Sequence, residues 1–287
     1  MRWNGGLVNL SPDQRFTIDF NLHWVPAALG LNIPPLAASA ILGITEEQFA
    51  AYCAEARQQV RKTAAELLAN EEYAGIVDRL PIPPGGAIMT IGDSITTYRY
   101  GYAEILREMI ALRRAKDAIR FFNVAQSGYT SNHGVENTYT QFLAKQPDLV
   151  LVKFGANDCK RFGHPEGKRL VSPEEYRRNI AAIADAFRLH TRARIVLLTP
   201  TPVLTRIVNT FPAFAPMRMT WTDEDFRECA DAVLSVARER NIPAIDLLTP
   251  FGKSPDESLL LPDGLHPSPK GHRILIDRIL RGLASLR

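Results

Sequence analysis

The sequence of 287 residues predicts an α/β protein whose parallel sheet is covered by helices on both faces. Three observations predict it. From Ala87 to the C-terminus, short apolar runs alternate with amphipathic helical stretches, the pattern of strand–helix–strand units. A Pro/Gly boundary, P-I-P-P-G-G at Pro81–Gly86, separates this region from what precedes it. The composition, 46% hydrophobic and 23% charged, is that of a globular chain and excludes wholesale disorder.

Residues 1–83 read as a mainly helical N-terminal arm and 84–287 as the main domain. The first 43 residues read as irregular and apolar, with Trp3, Phe16, Phe20, Trp24 and a Pro-rich LNIPPLAA stretch. At Thr45–Gln48, a hydroxyl cap followed three residues on by Gln opens a helix that runs to about Asn70. A shorter helix is expected over Glu71–Leu80. Beyond the boundary the strand candidates are Ala87–Ile91, Ile119–Val124, Asp148–Phe154, Arg194–Thr199 and Ala244–Leu248. Helices are expected near Tyr102–Arg114, Val135–Lys145, Pro173–His190 and Glu224–Arg240, with a final one near Pro269–Leu286. The arm's large apolar side chains must be buried, so it is expected to pack and to contribute to association between copies.

Other function classes are disfavoured. The net charge is +3 with no basic run, so no nucleic-acid partner is expected. No apolar stretch reaches the roughly 18 residues of a membrane span. The N-terminus lacks the basic-then-apolar pattern of a signal peptide, which makes a cytoplasmic protein the expectation. Cys53, Cys159 and Cys229 are odd in number and lack C-x-x-C spacing, against a disulfide framework or structural zinc. Neither H-E-x-x-H nor a glycine-rich nucleotide-binding motif is present, so no metal and no cofactor is expected.

Ligands of parallel sheets bind beyond the carboxyl ends of the strands, so the residues there are the candidates for chemistry. The first strand ends in Gly92-Asp93-Ser94, where a serine can expose its hydroxyl or simply cap the next helix. The second is followed by Asn123-Val-Ala-Gln-Ser127-Gly128, where a glycine can aim an N–H at a ligand or merely make a turn. The third gives Gly155-Ala-Asn157-Asp158, whose side-chain amide can donate to an oxyanion or close a turn. Before the last helix, Asp263 and His266 stand three apart in D-G-L-H-P, so the carboxylate can orient the imidazole. Each feature is weak alone. Together, at one rim, they supply a nucleophile, three oxyanion donors (Ser94 N–H, Gly128 N–H, Asn157 amide), a base and its orienter, the parts that acyl transfer requires.

G-D-S-I-T at Gly92–Thr96, N-V-A-Q-S-G-Y-T at Asn123–Thr130, G-A-N-D at Gly155–Asp158 and D-G-L-H-P at Asp263–Pro267 resemble, in order, the four sequence blocks of the SGNH (GDSL-type) hydrolase family. The resemblance covers roughly residues 87–287. It implies a flavodoxin-like three-layer α/β/α sandwich with five parallel strands. It also implies metal-independent ester hydrolysis, with Ser94, His266 and Asp263 as triad and Ser94, Gly128 and Asn157 as oxyanion hole. The chain departs from the pattern in the long segment before its first strand. Amide or thioester cleavage would use the same machinery, and a non-catalytic binding module is the distant alternative.

Substrate contacts are less legible. Candidates are Asp93, His133 in T-S-N-H-G, Arg161 after the Asn157 block, and Phe211, Phe214 and Trp221 in the long connection Pro200–Thr222. That apolar connection either walls an acyl pocket or buries itself against the arm. The expected substrate is a small acyl ester: short-chain, aromatic or carbohydrate-borne. His23, His190 and His272 read as structural.

Overall fold

The computed structural model describes residues 8–22, 35–252 and 255–286. Trp3, His23 and Trp24 lie outside them. Among the described residues there are seven strands: β1 (Ala87–Gly92), β2 (Arg120–Asn123), β3 (Leu149–Lys153), β4 (Arg161–Phe162), β5 (Arg194–Leu198), β6 (Met219–Thr220) and β7 (Ala244–Ile245). Five of them form one parallel sheet in the order β2-β1-β3-β5-β7, while β4 and β6 pair as a small antiparallel ribbon. The central strands AIMTIG and LVLVK are buried at every position, as strands covered on both faces must be.

The chain moves outward from β1 in both directions, so the sheet has a switch point between β1 and β3, the place where such sheets bind ligands beyond the carboxyl ends of their strands. One helical layer joins α3 (Glu46–Leu68), α4 (Glu71–Asp78), α6 (Tyr102–Arg113) and α11 (Pro269–Leu283). The other joins α7 (Ser131–Asn137), α8 (Pro173–His190) and α10 (Asp223–Arg240). The arm's Val60, Ala64, Tyr73, Ile76 and Val77 belong to the same hydrophobic core as the strands. Burying such side chains contributes about 1.5–3 kcal/mol each for the larger aliphatics.

Helix starts follow the local chemistry. Ser172, Thr222 and Ser268 each accept an N–H of the first turn, and Pro173 and Pro269 stand where a missing N–H costs nothing. The Thr45–Gln48 capping box forms as expected. The first 43 residues, however, are not irregular throughout. Ser11 and Gln14 make a second capping box that opens α1 (Pro12–Phe20), and α2 (Pro35–Leu42) follows. The S-P-D-Q signal carries the same chemistry as T-E-E-Q, but the apolar composition around it masks it. Two further boundaries shift. The last strand stops at Ile245 because the Asp246 carboxylate takes the Leu248 and Thr249 N–H groups and so ends the ladder. The helix expected at Val135–Lys145 begins at Ser131 and passes into a wider turn at Thr138–Phe142.

On the first turn of α11 sits His272, wholly buried, whose Nδ1 accepts the Tyr102 N–H while Nε2 finds no partner among the described residues. Burial, with Lys153 and His266 nearby, pushes its pKa down to about 3. The folded state therefore refuses a proton that the unfolded chain accepts, so His272 makes stability fall with acidification from about pH 6.5 toward 3. The slope contributed approaches about 1.4 kcal/mol per pH unit. Asp19 and Asp158, raised by burial to about 7 and about 6, act in the opposite sense over the same range. On urea unfolding from pH 7 to 4, wild type should lose stability relative to His272→Asn as the pH falls; a constant difference between the two would contradict this role.

Candidate active site

The residues of the four blocks meet at the switch point. Ser94 is the first residue of α5 (Ser94–Thr97), a single turn that leaves the end of β1. Its Oγ lies 2.7 Å from His266 Nε2. His266 Nδ1 lies 2.6 Å from Asp263 Oδ2, and the other oxygen, Oδ1, accepts the Leu265 and His266 N–H groups. Burial alone would raise the Asp263 carboxyl, but the imidazole beside it and these N–H groups hold it below the ordinary carboxylate value. The turn is closed by Leu261 N–H on the His266 carbonyl. Gly264 at φ +70 fits there because a side chain would strike Ile207 and the Val208 nitrogen. Those two residues are in α9 (Thr205–Val208), within the long connection after β5.

The Ser94 and Gly128 N–H groups find no acceptor among the described residues. Gly128 has φ +82, a conformation other residues rarely adopt, and a Cβ there would meet nothing within 4 Å. The third expected donor, the Asn157 amide, rests on the Tyr129 carbonyl at 3.0 Å, at the rim beyond β3. Asp158 is wholly buried and accepts the Ser131 and Gly155 N–H groups and the Ser131 hydroxyl, so it ties the Asn157 turn to the start of α7. Both Ser94 and His266 are almost enclosed, 5% and 3% exposed.

Several expected substrate contacts are corrected. Asp93 cannot touch a substrate: it is wholly buried, caps the Ile95 N–H and meets Lys153 Nζ at 3.1 and 3.2 Å. Arg161 is not free to bind an anion, since its guanidinium is held by both Asp225 oxygens and the Gly167 carbonyl. Trp221 is a support, not a pocket lining; it is 2% exposed and its indole N–H donates to the Ala156 carbonyl at 2.7 Å, beneath the Asn157 turn. Phe214 packs on Trp221 and Phe211 on Phe214, half-buried. The connection thus packs on the Asp263–His266 turn, through Leu204 N–H on the Gly264 carbonyl, and it contains α9 near its start and β6 near its end. His133 caps α7 through Thr130 and stacks on Tyr129 at 4.6 Å, beside the Asn157 amide.

Lys153 is the polar group that sequence reasoning passed over. A lysine closing an otherwise apolar strand was the available signal, because a charge buried there needs a partner. Among the described residues no group of His, Cys, Asp and Glu is arranged to hold a metal ion, and no helix is long and apolar enough to cross a membrane.

Residues 90–274 match the GDSL-like lipase/acylhydrolase family. The rice (Oryza sativa subsp. japonica) GDSL esterase/lipase WDL1 is 26% identical over 207 residues, 70% of this chain and 78% of the rice protein. The mouse (Mus musculus) isoamyl acetate-hydrolyzing esterase 1 homolog is 28% identical over 199 residues, 66% of this chain and 77% of the mouse protein. Among solved structures, Axe2, an acetylxylan esterase from Geobacillus stearothermophilus, matches with a TM-score of 0.56 at 22% identity. The match covers 72% of this chain and 98% of that one, a likeness of fold.

The Asp93–Lys153 pair yields a stability prediction. Removing one member of a buried pair leaves an uncompensated charge and costs about 3–5 kcal/mol, whereas replacing both with uncharged groups is much milder. Lys153→Met should therefore destabilise strongly in chemical denaturation, and adding Asp93→Asn should recover most of the loss. An equally unstable double variant would show that shape, not charge pairing, matters at this position.

Proposed function

The chain belongs to the GDSL-like lipase/acylhydrolase family and is a hydrolase acting on ester bonds, and we propose that it cleaves small carboxylic esters through Ser94, His266 and Asp263 without a metal. The observation that carries this reading is the unbroken hydrogen-bond chain from Asp263 through His266 to the Ser94 hydroxyl, at 2.6 and 2.7 Å. His266 Nε2 takes the Ser94 proton as Oγ attacks the acyl carbon. The carbonyl oxygen, now negative, is held by the Ser94 and Gly128 N–H groups and by the Asn157 amide, released from Tyr129. His266 passes the proton to the leaving alcohol, and Ser94 is left acylated. A water activated by the same imidazole then releases the acid. Asp263, buried and kept anionic, holds the imidazole in the tautomer that presents a bare Nε2 to the serine.

A small acyl group suits the near-complete enclosure of Ser94. An acetyl ester is named for both the mouse relative and the bacterial structural neighbour, and acetate esters are the proposed starting class.

Hydrolysis of p-nitrophenyl esters from acetate to dodecanoate tests the reading. Ser94→Ala should lose about three orders of magnitude or more in kcat, and activity should survive EDTA. Full activity of the variant, or loss on chelation, would overturn the mechanism. Preferential cleavage of matched amides or thioesters would move the substrate class while keeping the residues. Asn157→Ala should lose roughly 10²–10³ in kcat, about 2.7–4 kcal/mol of barrier, with KM little changed. A loss confined to KM would make Asn157 a binding group instead.

A further inference from the structure

We infer that helix α1 of the arm forms the wall of the active site on its leaving-group side, with Phe16 as the residue that selects esters of apolar alcohols. The inference rests on the serine-hydrolase reading above and extends it to the part of the substrate that departs.

The placement of α1 comes first. Phe20 is 2% exposed; its ring lies 4.6 Å from the His266 ring and stacks on Tyr98 at 4.7 Å and 14°. Phe16, one turn earlier on the same face, lies 4.8 Å from Phe20 and stands edge-on to His266 at 6.3 Å. The helix is fastened to the segment just after Ser94. The Arg99 N–H donates to the Asp19 carbonyl at 3.0 Å, and the Arg99 guanidinium donates to the Ile18 carbonyl at 3.1 Å. The Asp19 carboxyl is buried, receives the Tyr52 hydroxyl, and has Arg99 at 4.0 Å. Residues far from the four blocks in sequence therefore sit against the imidazole.

The side of the substrate that α1 meets follows from the chemistry. The imidazole must hand its proton to the oxygen of the departing alcohol, so that alcohol lies next to His266. Whatever packs beside His266 borders the alcohol, while the acyl oxygen points to Ser94, Gly128 and Asn157. The character of the wall follows from which side chains α1 turns inward. Two of its polar side chains face the arm: Gln14 donates to the Leu42 carbonyl, and the Arg15 guanidinium holds the Val8 and Leu10 carbonyls. Its aromatic groups face His266. Phe20 is already buried, whereas Phe16 is 41% exposed, a large apolar surface left uncovered beside two nearly enclosed reacting groups. An aromatic face without donors or acceptors favours an alkyl or aryl alcohol over a hydroxyl-rich one, because it offers a sugar no replacement for its hydrogen bonds to water.

Two ester series separate the alcohol from the acyl side: ethyl, butyl and benzyl acetate, and ethyl acetate, butyrate and hexanoate. In Phe16→Ala, kcat/KM for benzyl acetate should fall roughly tenfold relative to ethyl acetate, the size of a lost apolar contact. The acyl series should keep the wild-type ratios. Phe16→Trp should retain the preference for benzyl acetate, and Phe16→Leu should keep it in part, providing a conservative second variant should the alanine chain fold poorly. An equal loss across all alcohols, an unchanged alcohol series or an altered acyl series would each overturn the inference. Ser94→Ala on ethyl acetate serves as the separate control. Retained turnover there would defeat the serine mechanism, whatever the Phe16 series shows.

Discussion

The hydrogen bond between Ser94 Oγ and His266 Nε2 joins residues 172 positions apart, and most of the structure serves to hold those two atoms at 2.7 Å. Neither residue can be placed by its own neighbourhood. Ser94 is set by β1, whose ladders to β2 and β3 fix where its last residue points. His266 is set by a tight turn clamped from one side by Asp263 and from the other by α9. The same sheet delivers the Gly128 and Asn157 segments from β2 and β3. A hydrogen bond of this length depends on each of these placements at once, and on the proposed mechanism the rate does too.

The rim is polar yet largely buried, and that combination imposes a second condition. Buried polar groups must find partners, so the site is backed by several such partnerships. Lys153 answers Asp93 beneath the serine turn. Asp158 answers three donors beneath the Asn157 turn, and Asn179 in turn holds Ser131. The Trp221 indole takes the Ala156 carbonyl. None of these groups is exposed to a substrate, but each fixes a turn that carries one of the proposed site residues.

The arm changes the surroundings of the site rather than its chemistry. Its helices α3 and α4 extend the core that α6 and α11 begin, while α1 reaches back over the imidazole. An insertion before the first strand can do this only because α1 is bonded to Arg99, a few residues from Ser94. The wall and the nucleophile therefore share one short stretch of chain as their reference.

The sequence by itself determined the sheet, because strand–helix alternation is a periodic property of neighbouring residues, and four of five strand candidates agree with the observed ones to within a residue or so at each end. The fifth, at Ala244, ends three residues sooner than its apolar run, because an aspartate cap is invisible to apolar patterning. The four blocks were legible as well, since strand ends are where ligands bind and Ser94, Gly128, Asn157, Asp263 and His266 all stand beside such ends or in one compact turn. Tertiary structure decided what those residues face. Asp93 looked like a rim residue until Lys153, 60 positions away, was seen to bury it. Arg161 looked free until Asp225 took its guanidinium. Phe16 and Phe20 looked like apolar residues in need of any core, and they lie against His266. The reason is common to all three: spacing along a chain encodes which face of an element a side chain occupies, whereas its partner across space depends on how distant elements pack.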